Sequence, residues 1–289
     1  MKGSDSLHAR PAHCSASQLN HNIGNLMKTC NSIFKLKLAP ALVVLLSGGA
    51  FAGSDAVITV GGGAALAPRY SGSDENMALP MLLLDYSTAS GFYASTMRGL
   101  GYGGSAGQFS YSAALGFRAP RKENGELPFG GKASKYLRGM GDVKGSATAN
   151  LSAGYAIFEG LTVNLHTAQA LSARETGGTY GAGLTGTLFK DAGNTVTLSL
   201  GFEMADKKYA QTYYGVSAQQ ALKSGYKVYK PKAGMYQADV AMSWQHKLDE
   251  RWAVTGMLGV SGLLRDAANS PLTRHTTSPT AAVYASYGF

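Results

Sequence analysis

Between Thr195 and Met204 the chain alternates strictly between two kinds of side chain. Val196, Leu198, Leu200, Phe202 and Met204 fall on one side, and Thr195, Thr197, Ser199, Gly201 and Glu203 on the other. A period of two marks a β-strand whose faces meet different surroundings. Soluble strands run to about 5–6 residues, and this run is nearly twice that. The length suits a strand tilted across a membrane, about 9–11 residues.

The pattern recurs. In residues 179–188, Tyr180, Ala182, Leu184 and Leu188 oppose Thr179, Gly181, Thr185 and Thr187. In 147–157, Leu151, Ala153, Tyr155 and Ile157 oppose Thr148, Asn150 and Ser152. Further candidates lie at 56–66, 109–119, 161–171, 238–248, 252–264 and 279–289, with weaker ones at 78–87 and 91–98. A soluble β-sandwich also alternates. Here the polar face is small and weakly charged, and aromatics gather near strand ends (Tyr86, Phe92, Phe117, Tyr155, Phe158, Phe189, Trp244, Trp252, Tyr287). Such clusters resemble the aromatic girdles of membrane barrels. In lipid every backbone group must be paired, so the sheet must close. The expected fold is an all-β, transmembrane antiparallel barrel.

The last strand supports export. Ala281, Val283, Ala285, Tyr287 and Phe289 alternate to the final residue. Tyr287 and Phe289 resemble the terminal signal read by the outer-membrane barrel-assembly machinery. At the other end, Lys28, Lys35 and Lys37 precede a short apolar stretch, Leu38 to Leu46, and Ala50-Phe51-Ala52 has the form of a cleavage site. This is the anatomy of a secretory signal peptide. The apolar stretch is too short to span a bilayer, which takes about 20 residues. The expected organisation is therefore a mis-called start or leader over 1–26, a signal peptide over 27–52 and a barrel over 53–289. His8, His13, His21 and Cys14 fall in the leader and read as no metal site. Cys30 also precedes the cut, so the mature chain has no thiol.

Five of the 26 basic and one of the 17 acidic residues precede Gly53, which lowers the net charge from +9 to +5. Export excludes nucleic acid as a partner. The phosphates of lipopolysaccharide are the natural counterpart of a basic rim.

Tight turns are expected at 158–160, 191–194 and 249–251, and long connections at about 120–142, 205–233 and 265–278. Eleven candidate strands conflict with the even number usual for bacterial barrels. The alternation breaks at Arg98-Gly99-Leu100-Gly101, which reads as a bulge or as a turn between two short strands. The expectation is about 12 strands, with about 10 as the alternative. In the longest loop, Ser217 and Gln220 stand in capping-box spacing, and Gly225 offers a helix stop.

Chemistry is sparse. His166 is expected in the lumen, His246 on the outer face with Trp244, and His275 in a loop. None has a nucleophile at a spacing that suggests catalysis. The turn Ser71 to Asn76 reads as polar structure rather than a Ca²⁺ loop. The glycines at 61–63 and 99–104 lack the lysine and helix of a phosphate loop. Arg118, His166, Glu203, Asp239, Gln245 and Lys247 are expected to face the lumen, which permits either a narrow channel or a plugged interior.

Several segments, in order, resemble the MltA-interacting protein (MipA)/OmpV family. They are Tyr70-Ser71-Gly72-Ser73-Asp74, Leu79-Pro80, Asp85-Tyr86 and Arg98-Gly99-Leu100-Gly101-Tyr102. Then come Arg138-Gly139-Met140-Gly141-Asp142-Val143, Tyr213-Tyr214-Gly215-Val216-Ser217 through Gly225, and Asn269-Ser270-Pro271. The resemblance implies an outer-membrane barrel without enzymatic activity, cofactor or metal. It implies a scaffold role between a lytic murein transglycosylase and a murein synthase, with a small osmotic-adaptation pore or a surface adhesin as alternatives. The matching positions read physically as glycine-rich turns and loop anchors.

Overall fold

The computed structural model describes residues 56–126 and 132–289. The expected leader and signal peptide lie outside the described residues. Twelve antiparallel strands close into one barrel: β1 Ala56–Pro68, β2 Asn76–Thr88, β3 Phe92–Ser95, β4 Gly99–Ala106, β5 Phe109–Arg118 and β6 Ser146–Phe158, then β7 Leu161–Ala170, β8 Gly178–Lys190, β9 Asn194–Ala205, β10 Gly234–Lys247, β11 Trp252–Leu263 and β12 Thr277–Gly288. The break at Arg98 is a turn between two short strands, which supplies the strand missing from the sequence count. No helix among the described residues is long and apolar enough to cross a membrane.

Alternation sorts the two faces as expected. Leu200, Phe202, Val240, Met242, Leu258 and Val283 are exposed on the outside. Thr197, Ser199, Glu203, Asp239, Ser243 and Thr255 are buried on the inside. The outer surface is thus an apolar band suited to lipid.

Closure joins the ends of the chain. β12 pairs with β1 from Thr59↔Gly288 to Leu66↔Ala281. The Phe289 N–H donates to the Ile58 carbonyl at 3.0 Å. Gly63 permits this seam, because a Cβ there would stand 2.0 Å from the Val283 carbonyl oxygen. Beyond the seam, Trp252 and Phe289 both meet the Tyr287 ring edge-on, with centroids 5.1 and 4.8 Å apart.

The two ends of the barrel differ. One carries short turns at 89–91, 107–108, 159–160, 191–193 and 248–251. The other carries the connections 69–75, 119–145, 171–177, 206–233 and 264–276. The β3–β4 hairpin does not reach the loop end. It turns back at 96–98, partway up the wall.

Candidate functional site: a loop cap over the barrel mouth

The long loop 206–233 folds rather than wandering. Asp206 caps α1 (Lys207–Tyr214) by accepting from the Tyr209 N–H at 2.7 Å. Ser217 and Gln220 form the expected capping box of α2 (Ala218–Ser224), and Gly225 ends it at φ 77°. The helix stop uses the left-handed conformation glycine adopts without strain. The capping residues announce α2 in the sequence, whereas α1 was not expected from it. A third short helix, α3 (Arg265–Ala268), lies in the last loop.

α1 packs into the mouth. Tyr209, Ala210 and Tyr214 form one buried cluster with Ala205, Leu263 and Ala267, and Tyr213 and Tyr236 pack against it. Ala205 and Leu263 end β9 and β11 on the inner face. The bulge between Met235 and Gln237 accompanies Tyr236, whose ring lies 5.4 Å from Tyr209 and 5.8 Å from Tyr214. A second cluster joins Met140, Val216 and Leu272 from three different loops.

Hydrogen bonds tie the loops to one another. Tyr70 Oη donates to the Leu272 carbonyl at 3.0 Å. Ser71 Oγ and the Tyr214 hydroxyl lie 2.7 Å apart. The Ser270 hydroxyl donates to the Tyr214 carbonyl at 2.6 Å. Gln220 Nε2 donates to the Met140 carbonyl at 2.6 Å. Arg121 donates to the carbonyls of Thr212 and Tyr213 at 3.1 and 3.0 Å. It thereby satisfies carbonyls left open at the end of α1, where a cation is favoured. Burial lowers the Arg121 pKa from its ordinary value, and the tyrosines Tyr213 and Tyr214 oppose that shift. Burial likewise pushes the Tyr209 phenol up to about 12. The cap is therefore a neutral tyrosine cluster braced by arginine. Arg118 braces it from β5, donating to the Thr176 and Gly177 carbonyls and sitting 5.0 Å from the Tyr209 ring.

Most of the singled-out motif residues meet here. Tyr70, Gly72, Ser73, Tyr213, Tyr214, Gly215, Ser217, Gly225, Ser270 and Pro271 build the cap or its turns. Gly139 lies against α2, where a Cβ would meet the Lys223 backbone at 2.8 Å, and its φ is +80°. Asp142 fastens the base of its own loop, 2.5 Å from Lys122 Nζ, and that hydrogen bond lowers its carboxyl pKa. Asp74 and Arg138 are exposed. The segment Ser71 to Asn76 is a hydrogen-bonded turn, with the Ser73 N–H donating to Tyr70.

Arg98, Gly99 and Gly101 lie elsewhere, at the β3–β4 hairpin. Arg98 meets buried Asp85 at 2.9 Å inside the wall and lies 4.1 Å from the Tyr93 ring centroid. At Gly99, φ is +86° and a Cβ would stand 2.1 Å from the Leu115 carbonyl oxygen. Tyr287 and Phe289 lie at the turn end, where Arg251 donates to the Tyr287 hydroxyl at 2.8 Å.

Inside the barrel His166 points inward as expected, and its Nε2 lies 2.5 Å from Glu203 Oε1. The two come from β7 and β9 and reach across β8. Gly181 stands between them, where a Cβ would lie 2.2 Å from the His166 ring. Both Asp239 carboxylate oxygens are buried without a hydrogen-bond partner. His246 stacks on Trp244, and both bond Asn194. His275 is in a loop. Among the described residues no group of three or more His, Asp or Glu is placed to hold a metal.

Charge divides between the ends. The five loops hold sixteen basic and eight acidic residues. The five turns hold four acids (Glu159, Asp191, Asp249, Glu250) and one base, Arg251. Asp191 and Asp249 are engaged by turn N–H groups, which lower their pKa values, while Glu159 and Glu250 are exposed.

The family described as MltA-interacting protein MipA matches residues 60–289. No curated protein matches the chain. Among solved structures, a KdgM porin is similar at 12% identity and a TM-score of 0.41, over 80% of this chain and 99% of that one. An outer membrane channel from Pseudomonas putida F1 is similar at 13% identity and a TM-score of 0.44, over 81% and 96%. Both likenesses are loose, and neither bears on function.

Proposed function

Because the chain belongs to the MipA family, we propose that this outer-membrane barrel is a non-enzymatic scaffold, holding a lytic murein transglycosylase and a murein synthase at its turn end. The observation that carries the reading is the cap. Residues from five loops interlock over the mouth, and the motif positions concentrate there. A conducting lumen would need that mouth open, so the cap favours a binding role over a small pore.

Short turns face the periplasm and long loops the outside in bacterial barrels. The murein enzymes would then meet the acidic turns. Turns alone offer little area against the roughly 800 Å² per partner of a standard interface. The partners would therefore also use the rim of the wall beside Glu159 and Glu250, with charge steering the encounter. The basic loops would face lipopolysaccharide phosphates, and the terminal strand with Tyr287 and Phe289 would present the assembly signal.

The test is capture of both murein enzymes by the purified barrel and by E159K/E250K. At low salt the variant is expected to capture about tenfold less, with the barrel still folded. Equal capture by the variant, or none by the parent, overturns the scaffold reading. A second reading, attachment to an anionic surface, is favoured by one patch. Leu222 is 89% exposed and Val228 50%, amid exposed Lys223, Lys227 and Lys230.

A further inference from the structure

We propose that the loop-side half of the barrel wall opens sideways between β2 and β5, and that this opening takes an acyl chain of the outer leaflet. The leaflet rests on the orientation given above. The opening itself rests on the strand register.

The β3–β4 hairpin fills the wall only as far as its tip. The Thr96 N–H donates to the Leu84 carbonyl at 2.9 Å, and Thr96 Oγ1 donates to the Leu82 carbonyl at 2.9 Å. Beyond Leu82, β2 continues to Asn76 with β1 as its only ladder partner among the described residues. β5 continues past Leu115 through Phe117 and Arg118 with β6 as its only partner. At the level of the hairpin, β2 and β5 stand three strand spacings apart, about 14 Å.

The sequence of β2 suits an open edge. Leu84 and Leu82 direct their backbone groups toward the hairpin, so Ala78 and Pro80 share that direction. Proline has no N–H, and within sheets it is confined to edges and bulges. Pro80 therefore leaves one donor fewer exposed on the edge, which matters where lipid cannot satisfy it.

From Met77 to Leu84, β2 is also apolar on both faces. Ala78, Pro80 and Leu82 are exposed to the outside. Met77, Leu79, Met81 and Leu83 lie on the inner face, where other strands carry Thr197, Ser199, Glu203 or Asp239. Their partners on β1 are Ala67, Ala65, Gly63 and Gly61. On the β1 side that surface is already covered, by the close approach of β12 at Gly61 and Gly63 and by burial at Ala65 and Ala67, so the room for a chain lies on the other side of β2, toward its open edge. The apolar surface therefore runs from the lipid-facing wall, around the β2 edge, to the inner face. This continuity selects a hydrocarbon chain already dissolved in the adjoining leaflet. Met77 and Met81, both half-buried beside that edge, can adapt to a flexible chain.

The test uses photo-crosslinking from p-benzoylphenylalanine placed singly at Met81, Leu258 or Ser243, in nanodiscs of lipopolysaccharide and phospholipid. Leu258 faces lipid, and Ser243 faces the lumen under a continuous wall. Met81 is expected to give lipid adducts within about twofold of Leu258, and Ser243 about tenfold fewer. An independent probe is M81W in a W244F/W252F background, whose fluorescence brominated acyl chains should quench. Adducts at Met81 no more frequent than at Ser243 overturn the proposal. So do adducts to the chain's own loops or to a second copy, or a tryptophan that is not quenched. No murein enzyme enters either readout, so the result stands apart from the scaffold test.

Discussion

Arg98→Ala is expected to cost about 3–5 kcal/mol, the usual result of removing one partner from a buried ion pair. Asp85 is 4% exposed, and Arg98 Nη2 reaches both of its oxygens and the Ser87 hydroxyl at 2.9–3.1 Å. The variant strands that carboxylate inside the wall at the foot of the short hairpin. Urea unfolding of the barrel, followed by its heat-modifiable gel mobility, measures the loss. R98M/D85L should recover most of it, because no charge is then left buried. A single variant as stable as the parent would show that the pair is solvated.

Tyr214→Ala should release the cap while leaving the barrel intact. The side chain is 1% exposed, and its hydroxyl reaches Ser71 while its ring packs against Tyr236. Truncating a buried aromatic costs about 3–5 kcal/mol. The strands do not depend on it, so the cost falls on local opening of α1. Amide exchange over 209–214 is expected to accelerate by about two to three orders of magnitude, and trypsin should cut at Lys207-Lys208. Unchanged exchange would mean that α1 is held by something other than the tyrosine cluster.

The barrel was legible in the sequence because alternation is a local property. Thr195 to Met204 declares its two faces without reference to any neighbour. β4 was not legible for the same reason. Gly101, Gly103 and Gly104 carry no side chain, so nothing alternates, yet a Cβ at Gly101 would stand 2.4 Å from the Ala113 carbonyl oxygen. Those glycines mark strand contact rather than strand absence. α1 was missed although Asp206 stood in an N-cap position before Lys207. Its sequence has no capping box, and the tyrosines read as a motif rather than a helix face. His166 could be placed in the lumen from the alternation. Its meeting with Glu203 across Gly181 depends on register over three strands, which no single strand encodes. The cap is the extreme case. Tyr70, Tyr214 and Ser270 span 200 positions of sequence, and each looks like an isolated turn residue until the barrel brings the loops together.

The interlocked loops are expected to close the loop-side mouth. Conductance in a planar bilayer tests it most directly, comparing the parent barrel with one in which 206–233 is replaced by a short Gly-Ser linker. The expected result is a silent parent and steady ion current through the variant, since about 12 strands leave room for a lumen once the helices are gone. A parent that conducts as steadily as the variant would mean that the loops leave the mouth open.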